Sequence, residues 1–151
     1  MTEMILMTHV LFGVGCMLAA LWVFVDVLSA SEANVGRIRA VSWAAAAFMW
    51  VAFVVGGYWY VTFYKVDKAI ILKGPWPFAH GKVMETKEHL FFVTLILALL
   101  LPIVVREPLY SNAAARKMVL SVAGLIGLTG LALEGAGAVI DHGVKVALLK
   151  R

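Results

Sequence analysis

Four apolar runs, each about as long as a bilayer core is thick, dominate this chain: Met4 to Leu28, Val41 to Tyr64, Val83 to Val105 and Lys117 to Ile140. A helix needs roughly 20 residues to cross a hydrocarbon layer of about 30 Å, and it satisfies its own backbone hydrogen bonds on the way. The runs therefore predict four transmembrane helices. Composition agrees: of 151 residues, 63% are hydrophobic and 15% charged, with a mean hydropathy of +0.94. That is more apolar surface than a soluble core of this size can bury, which makes the lipid bilayer the first partner. The formal charge of +4 does not indicate a nucleic-acid partner, because Lys and Arg lie between and beside the runs, where membrane-anchoring charges belong. The single cysteine, Cys16, excludes an internal disulfide and reads as packing.

The expected fold is an all-α integral membrane protein in which residues 1–151 form a single domain. It is an up-and-down bundle of four transmembrane helices with both termini on one side. The first run is too long for a signal peptide and begins with acidic Glu3 rather than basic residues, so it counts as a retained helix. Polar links follow it at Ser29, Ser31, Glu32, Asn34 and Gly36, from Lys65 to Lys82, and around Pro108, Ser111 and Asn112. In the long link, Val66, Ala69, Ile70, Ile71 and Leu72 alternate with Asp67, Lys68 and Lys73 before the break Gly74-Pro75-Trp76-Pro77-Phe78. This predicts a short interfacial helix between helices 2 and 3, followed by a rigid aromatic turn. One face of the bundle carries Lys65, Lys68, Lys73, Lys82, Lys87, Lys145, Lys150 and Arg151; the other carries Arg37, Arg39, Arg106, Arg116 and Lys117. The positive-inside rule then puts the termini on the cytoplasmic side, as in a bacterial inner-membrane protein.

Ionisable side chains within the apolar runs mark the place to look for function, since such groups are expensive in lipid and face a partner, a cavity or a cofactor. His89 lies seventeen positions before Arg106, Glu134 seventeen after Lys117 and His9 nineteen before Leu28. At about 1.5 Å per residue all three reach one layer, roughly 25 Å from the Arg-rich face. The same count along the second helix reaches Tyr58. His9 also lines up with Gly13, Cys16 and Ala20 on one helical face, a stripe of small residues that admits a close helix or a flat ligand. On the third helix Glu85 stands one turn before His89, with Glu88 beside it. Asp26 is expected to pair with Arg37 or Arg39.

Three chemistries suit this layer. A haem b takes two imidazoles on facing helices at matched height, which His9 and His89 supply, with Gly13 and Tyr58 lining the slot. A non-haem iron, copper or zinc centre uses His9 and His89 with carboxylates from Glu85, Glu88 and Glu134. A quinone or proton site lets a histidine and Glu134 exchange protons with a ring held by Tyr or Trp. Each has a plainer counterpart: His9 reaching headgroups, Glu85 and Glu88 pairing with Lys82 and Lys87, and Tyr58, Trp59 and Tyr60 forming an aromatic belt. Covalent haem, nucleotide binding and acyl transfer are unsupported, because the chain has no Cys-x-x-Cys-His, no glycine-rich phosphate loop and no nucleophile beside a base. All histidines lie toward one face, which limits the chain to one haem or metal centre.

The leading expectation is a small membrane redox subunit that holds one haem b or metal centre and passes electrons to a quinone or partner protein. Glu134 is its proton-active group. The alternatives are a non-catalytic subunit or assembly factor among other membrane subunits, and a membrane metalloenzyme. In general style this is similar to small four-helix membrane b-type cytochromes and anchor subunits of redox complexes, a likeness of class that assigns no residue.

Overall fold

A computed structural model describes residues 2–149, and within them every regular element is helical. Helix α1 spans Thr2–Leu28, α2 Val35–Thr62, α3 Tyr64–Lys73, α4 Glu85–Val104 and α5 Ala113–Leu149. A π-helical segment, Ala79–Met84, leads directly into α4. Four helices are long and apolar enough to cross a membrane: α1, α2, α4 with its π-helical lead, and α5. Each of these packs on two others, α1 on α2 and α5 and α4 on α5 and α2, which closes a ring around a shared interior.

Small side chains set the spacing. Ala19, Ala20, Ala45, Ala52, Ala98 and Ala123 are buried in the interior, so the helix backbones approach closely, as lipid-soluble bundles require in the absence of a hydrophobic drive between helices. The outward faces are apolar as well: Leu18, Leu21, Trp22, Val54, Ile96, Ile103, Leu128 and Leu131 are all exposed. An outside this apolar is suited to lipid and unsuited to water.

Two hydrophobic cores divide the interior. The larger runs from Cys16, Met49, Leu95 and Ile126 to the α4–α5 turn at Val105 and Leu109. The smaller gathers Tyr64, Ile71, Ala79, Met84 and Ile140 around α3 and the π-helical segment. At the far end of the larger core the loops are tied by polar side chains. The Arg37 guanidinium grips Asp26 through two hydrogen bonds of 2.8 and 2.9 Å, the expected pair. Arg39 donates instead to the carbonyls of Val105 and Arg106, at 3.4 and 3.1 Å, satisfying acceptors left open where α4 stops. Asn112 caps α5 by accepting from the Ala115 N–H at 3.0 Å.

The ends of the elements differ from the sequence reading in two places. The fourth apolar run was expected to stop at Ile140, whereas α5 continues to Leu149 and is about 55 Å long at 1.5 Å per residue. Its extension is held by an Asp141–Lys145 pair one turn apart, 2.6 Å long, and by Gly143, which lies against Ala79. The helix of the long link follows α2 after a single residue and docks on this extension, with Tyr64 and Ile71 buried and Gly74 backed closely against Ala147. The aromatic turn packs there too, Trp76 lying 5.1 Å from the His142 ring.

That docking has an electrostatic weakness. Burial, and then the neighbouring Asp141 carboxylate, push the Asp67 pKa above its usual value. A carboxyl whose folded pKa is raised contributes stability that is complete below its unfolded pKa and is lost as pH rises through the folded one. Asp67→Asn is therefore expected to raise the unfolding temperature near neutral pH. The advantage should vanish below about pH 4, the ordinary Asp range, as read by thermal melts of both proteins across pH.

Candidate functional site

Periodicity decides which ionisable groups of α4 point inward. The buried positions Thr94, Leu95, Ala98 and Leu101 extend backward, in steps of three and four, to Phe91, Lys87 and Glu88. The exposed positions Phe92, Val93, Ile96 and Ile103 extend backward to His89 and Glu85. The structure follows this rule. His89 is exposed, and its Nδ1 donates to the Glu85 carbonyl of its own helix at 2.7 Å.

His9 stands inside. Its Nδ1 lies 2.8 Å from the Ala52 carbonyl of α2, an atom that can only accept, so the ring carries its proton on Nδ1 and leaves Nε2 for exchange. The Phe91 ring lies 5.9 Å from it. Gly56 allows this position: a Cβ there would collide with the imidazole at Nδ1 and Cε1.

Glu134 and Lys87 complete the cluster. Opposite the Glu134 carboxylate is Gly13, where a Cβ would stand 3.3 Å from Oε1; opposite the Lys87 ammonium is Gly137, where a Cβ would stand 3.0 Å from Nζ. Three ionisable side chains from three helices thus each occupy the space above a glycine of another helix. Together they border a cavity of about 20 Å³, closed by Cys16, Met49, Thr94 and Ile126. A space of roughly 10–15 Å³ or more holds one water. No ion pair within 4.0 Å joins Lys87 to Glu134 among the described residues, and both side chains border that one-water space.

A larger cleft of about 230 Å³ adjoins the first, and His9, Lys87 and Phe91 form the wall between the two. Its other sides are Phe53 and Trp59 of α2 and Phe92 of α4, with Phe53 stacked on Phe91 at 6.0 Å. Two buried polar atoms at its edge, Trp59 Nε1 and Glu88 Oε1, have no hydrogen-bond partner. Leaving such a group unpaired costs about 1–3 kcal/mol.

No family model, no curated protein and no solved structure matches this chain. The site rests on its own geometry.

That geometry corrects the expected ligand set. His9 is bonded to α2 on the inside and His89 is exposed and bonded to its own helix, so the two rings proposed as haem b ligands are not brought face to face within this chain. Among the described residues no three His, Cys, Asp or Glu side chains stand together as a metal-ion site, so His9, His89, Glu85, Glu88 and Glu134 are not gathered in one place. Gly13 makes room for a carboxylate rather than for a flat ligand. Tyr58 is exposed and borders a separate groove with Met4, Ile5 and Val54, while its neighbours Trp59 and Tyr60 line the cleft. Glu88 does border the cleft, and Glu85 does not. Lys87, which had counted only as a loop charge, is the residue the sequence reading missed.

The glycine contacts yield a paired test. Gly56→Ala should displace the His9 ring, break its bond to Ala52 and destabilise the protein by about 1–3 kcal/mol, the range for overpacking. Gly57→Ala, whose Cβ meets nothing within 4 Å, should be neutral or stabilise by up to about 1 kcal/mol, the helix-propensity gain over glycine. Unfolding midpoints in detergent distinguish the two.

Proposed function

We propose that this chain is an integral membrane protein, crossing the bilayer four times in an up-and-down bundle, whose His9–Lys87–Glu134 cluster takes up and releases protons for chemistry in the adjoining cleft. The observation that carries the reading is the convergence of these three side chains, from α1, α4 and α5, on one water-sized cavity. Of the chemistries raised by the sequence this is the proton site. It replaces the bis-histidine haem, whose two ligands face apart.

The roles follow from charge. In a low-dielectric interior, opposite charges attract strongly and a lone charge is expensive, so the Lys87 ammonium and Glu134 carboxylate stabilise each other as a net-neutral pair. His9 is the third partner, fixed by Ala52 in one tautomer. A proton arriving on Nε2 makes the cluster cationic, and a proton arriving on the Glu134 carboxylate does the same. A water between them lets the charge settle on either group. His9 and Lys87 also face the cleft, so a proton can pass from Glu134 to a bound molecule without crossing lipid.

Infrared difference spectroscopy in liposomes tests this reading. A protonated-carboxyl band should change in intensity with pH, and it should be absent in Glu134→Gln. Its midpoint should shift in His9→Ala and in Lys87→Met. A carboxyl band that fails to titrate would overturn the reading, as would a haem absorption band that disappears in His9→Ala.

Membrane crossing is tested separately. Single cysteines placed at Lys73 and Arg37, in a Cys16→Ala background, should label from opposite sides of a sealed vesicle. Labelling from the same side removes the four-crossing topology.

A further inference from the structure

We propose that the cleft between α1, α2 and α4 binds the head group of a lipid-soluble quinone or quinol, an assignment that rests on the proton-exchange reading of the adjoining cluster and names the molecule it serves.

Size selects the class of ligand. The cleft, at about 230 Å³, falls just below the roughly 300–1,000 Å³ of sites for drug-sized molecules. It suits a single substituted ring and is too small for a porphyrin. Shape agrees, because Phe53 stacks on Phe91 and meets Phe92 edge-on at 5.8 Å, which leaves an aromatic-walled slot for a flat molecule.

Polarity selects within the class. Trp59 Nε1 can only donate and Glu88 Oε1, one oxygen of a carboxylate that also meets the Tyr60 hydroxyl, can only accept; both atoms are buried without partners. A ring that carries an oxygen on each of two opposite sides answers both demands: a quinone carbonyl accepts from the indole, and a quinol hydroxyl donates to the carboxylate. A fatty acid or lipid phosphate could meet Lys87 but would leave Glu88 Oε1 without a donor, which a quinol hydroxyl supplies. On the inner wall His9 and Lys87 border the proton cluster, so the molecule that changes by protons as well as electrons lies beside groups that exchange them.

Access is from the lipid side. Phe92 is exposed on the outer surface of α4, and Gly57, also exposed, borders the cleft with no atom within 4 Å of where a Cβ would be. An isoprenoid tail can leave past these two residues into the acyl chains while the ring stays inside.

Gly57 provides the decisive variant. Gly57→Leu fills the entrance without displacing a neighbour, and leucine is a better helix former than glycine, so the fold should persist. Equilibrium dialysis of the full chain in lipid nanodiscs against a labelled short-tailed benzoquinone, oxidised or reduced, should show one saturable site. Gly57→Leu should abolish binding of both forms while its helical circular dichroism is unchanged. Trp59→Phe should weaken the oxidised form more than the reduced form, by about tenfold, the scale of one hydrogen bond. Glu88→Gln should weaken the reduced form more. Leu128→Ala, exposed on α5 and outside the cleft, should bind within about twofold of the original protein. The proposal is overturned if the original protein shows no saturable binding, or if Gly57→Leu and Trp59→Phe bind as tightly as it does. Absent binding with an intact Glu134 titration removes the quinone and leaves the proton reading standing; intact binding with no titration does the reverse.

Discussion

A bare backbone opposite each buried ionisable side chain is the constraint on which this bundle depends. The imidazole of His9, the ammonium of Lys87 and the carboxylate of Glu134 lie over Gly56, Gly137 and Gly13. Each pairing joins a different two of the four long helices, so the polar layer itself fixes the register of α1 against α2, α4 against α5 and α5 against α1. A methyl at Gly56 would collide with the imidazole, and one at Gly13 or Gly137 would crowd the carboxylate or the ammonium, at 3.3 and 3.0 Å. Packing in a lipid-solvated bundle is driven by close fit rather than by water exclusion, and here the close fit is made around polar groups.

The layer is held between two apolar cores of different character. On one side, small alanines and valines bring the helices together up to the α4–α5 turn, where Arg37 and Arg39 tie the loops. On the other, Tyr64 and Ile71 anchor α3 to the extension of α5, and the Tyr64 hydroxyl meets His80 Nδ1 at 3.1 Å. Both cores are lined almost wholly by apolar side chains, so the polar groups of the cluster meet open space only at the small cavity and the adjoining cleft.

Much of this was legible in the residues, and the failures share one cause. The four apolar runs and the Asp26–Arg37 pair are present as read, and the stripe His9, Gly13, Cys16, Ala20 does face the interior. Depth counting brought His9 and Glu134 to one layer correctly. It failed for His89 and Tyr58 because depth fixes how far along a helix a residue lies and says nothing about the side it faces. Extending the inward stripe Ala98, Thr94, Phe91 by one more turn would have picked Lys87 and Glu88 and rejected His89 and Glu85. Lys87 was hidden by habit of charge: a lysine near the start of an apolar run suggests a headgroup anchor, and only the facing Glu134 and Gly137 on α5 make an inward position tolerable. The extension of α5 was hidden for a similar reason, since Asp141 and His142 look like the end of a membrane span until α3 is present to pack against them.

For helices that enter a bilayer, the ring of charge and glycine would also set an order of assembly. Helices enter in chain order, and a carboxylate alone at the middle of a span costs about 2.5–3.5 kcal/mol on insertion scales. Lys87, two residues into α4, can extend its amine toward the headgroups while it waits. His9 can enter uncharged. Glu134, twenty-one residues beyond the start of α5, has no such escape, and it follows both α1 and α4 in the chain. By then α1 with Gly13 and α4 with Lys87 are already in place, so the most expensive group enters only once its two partners are there to receive it.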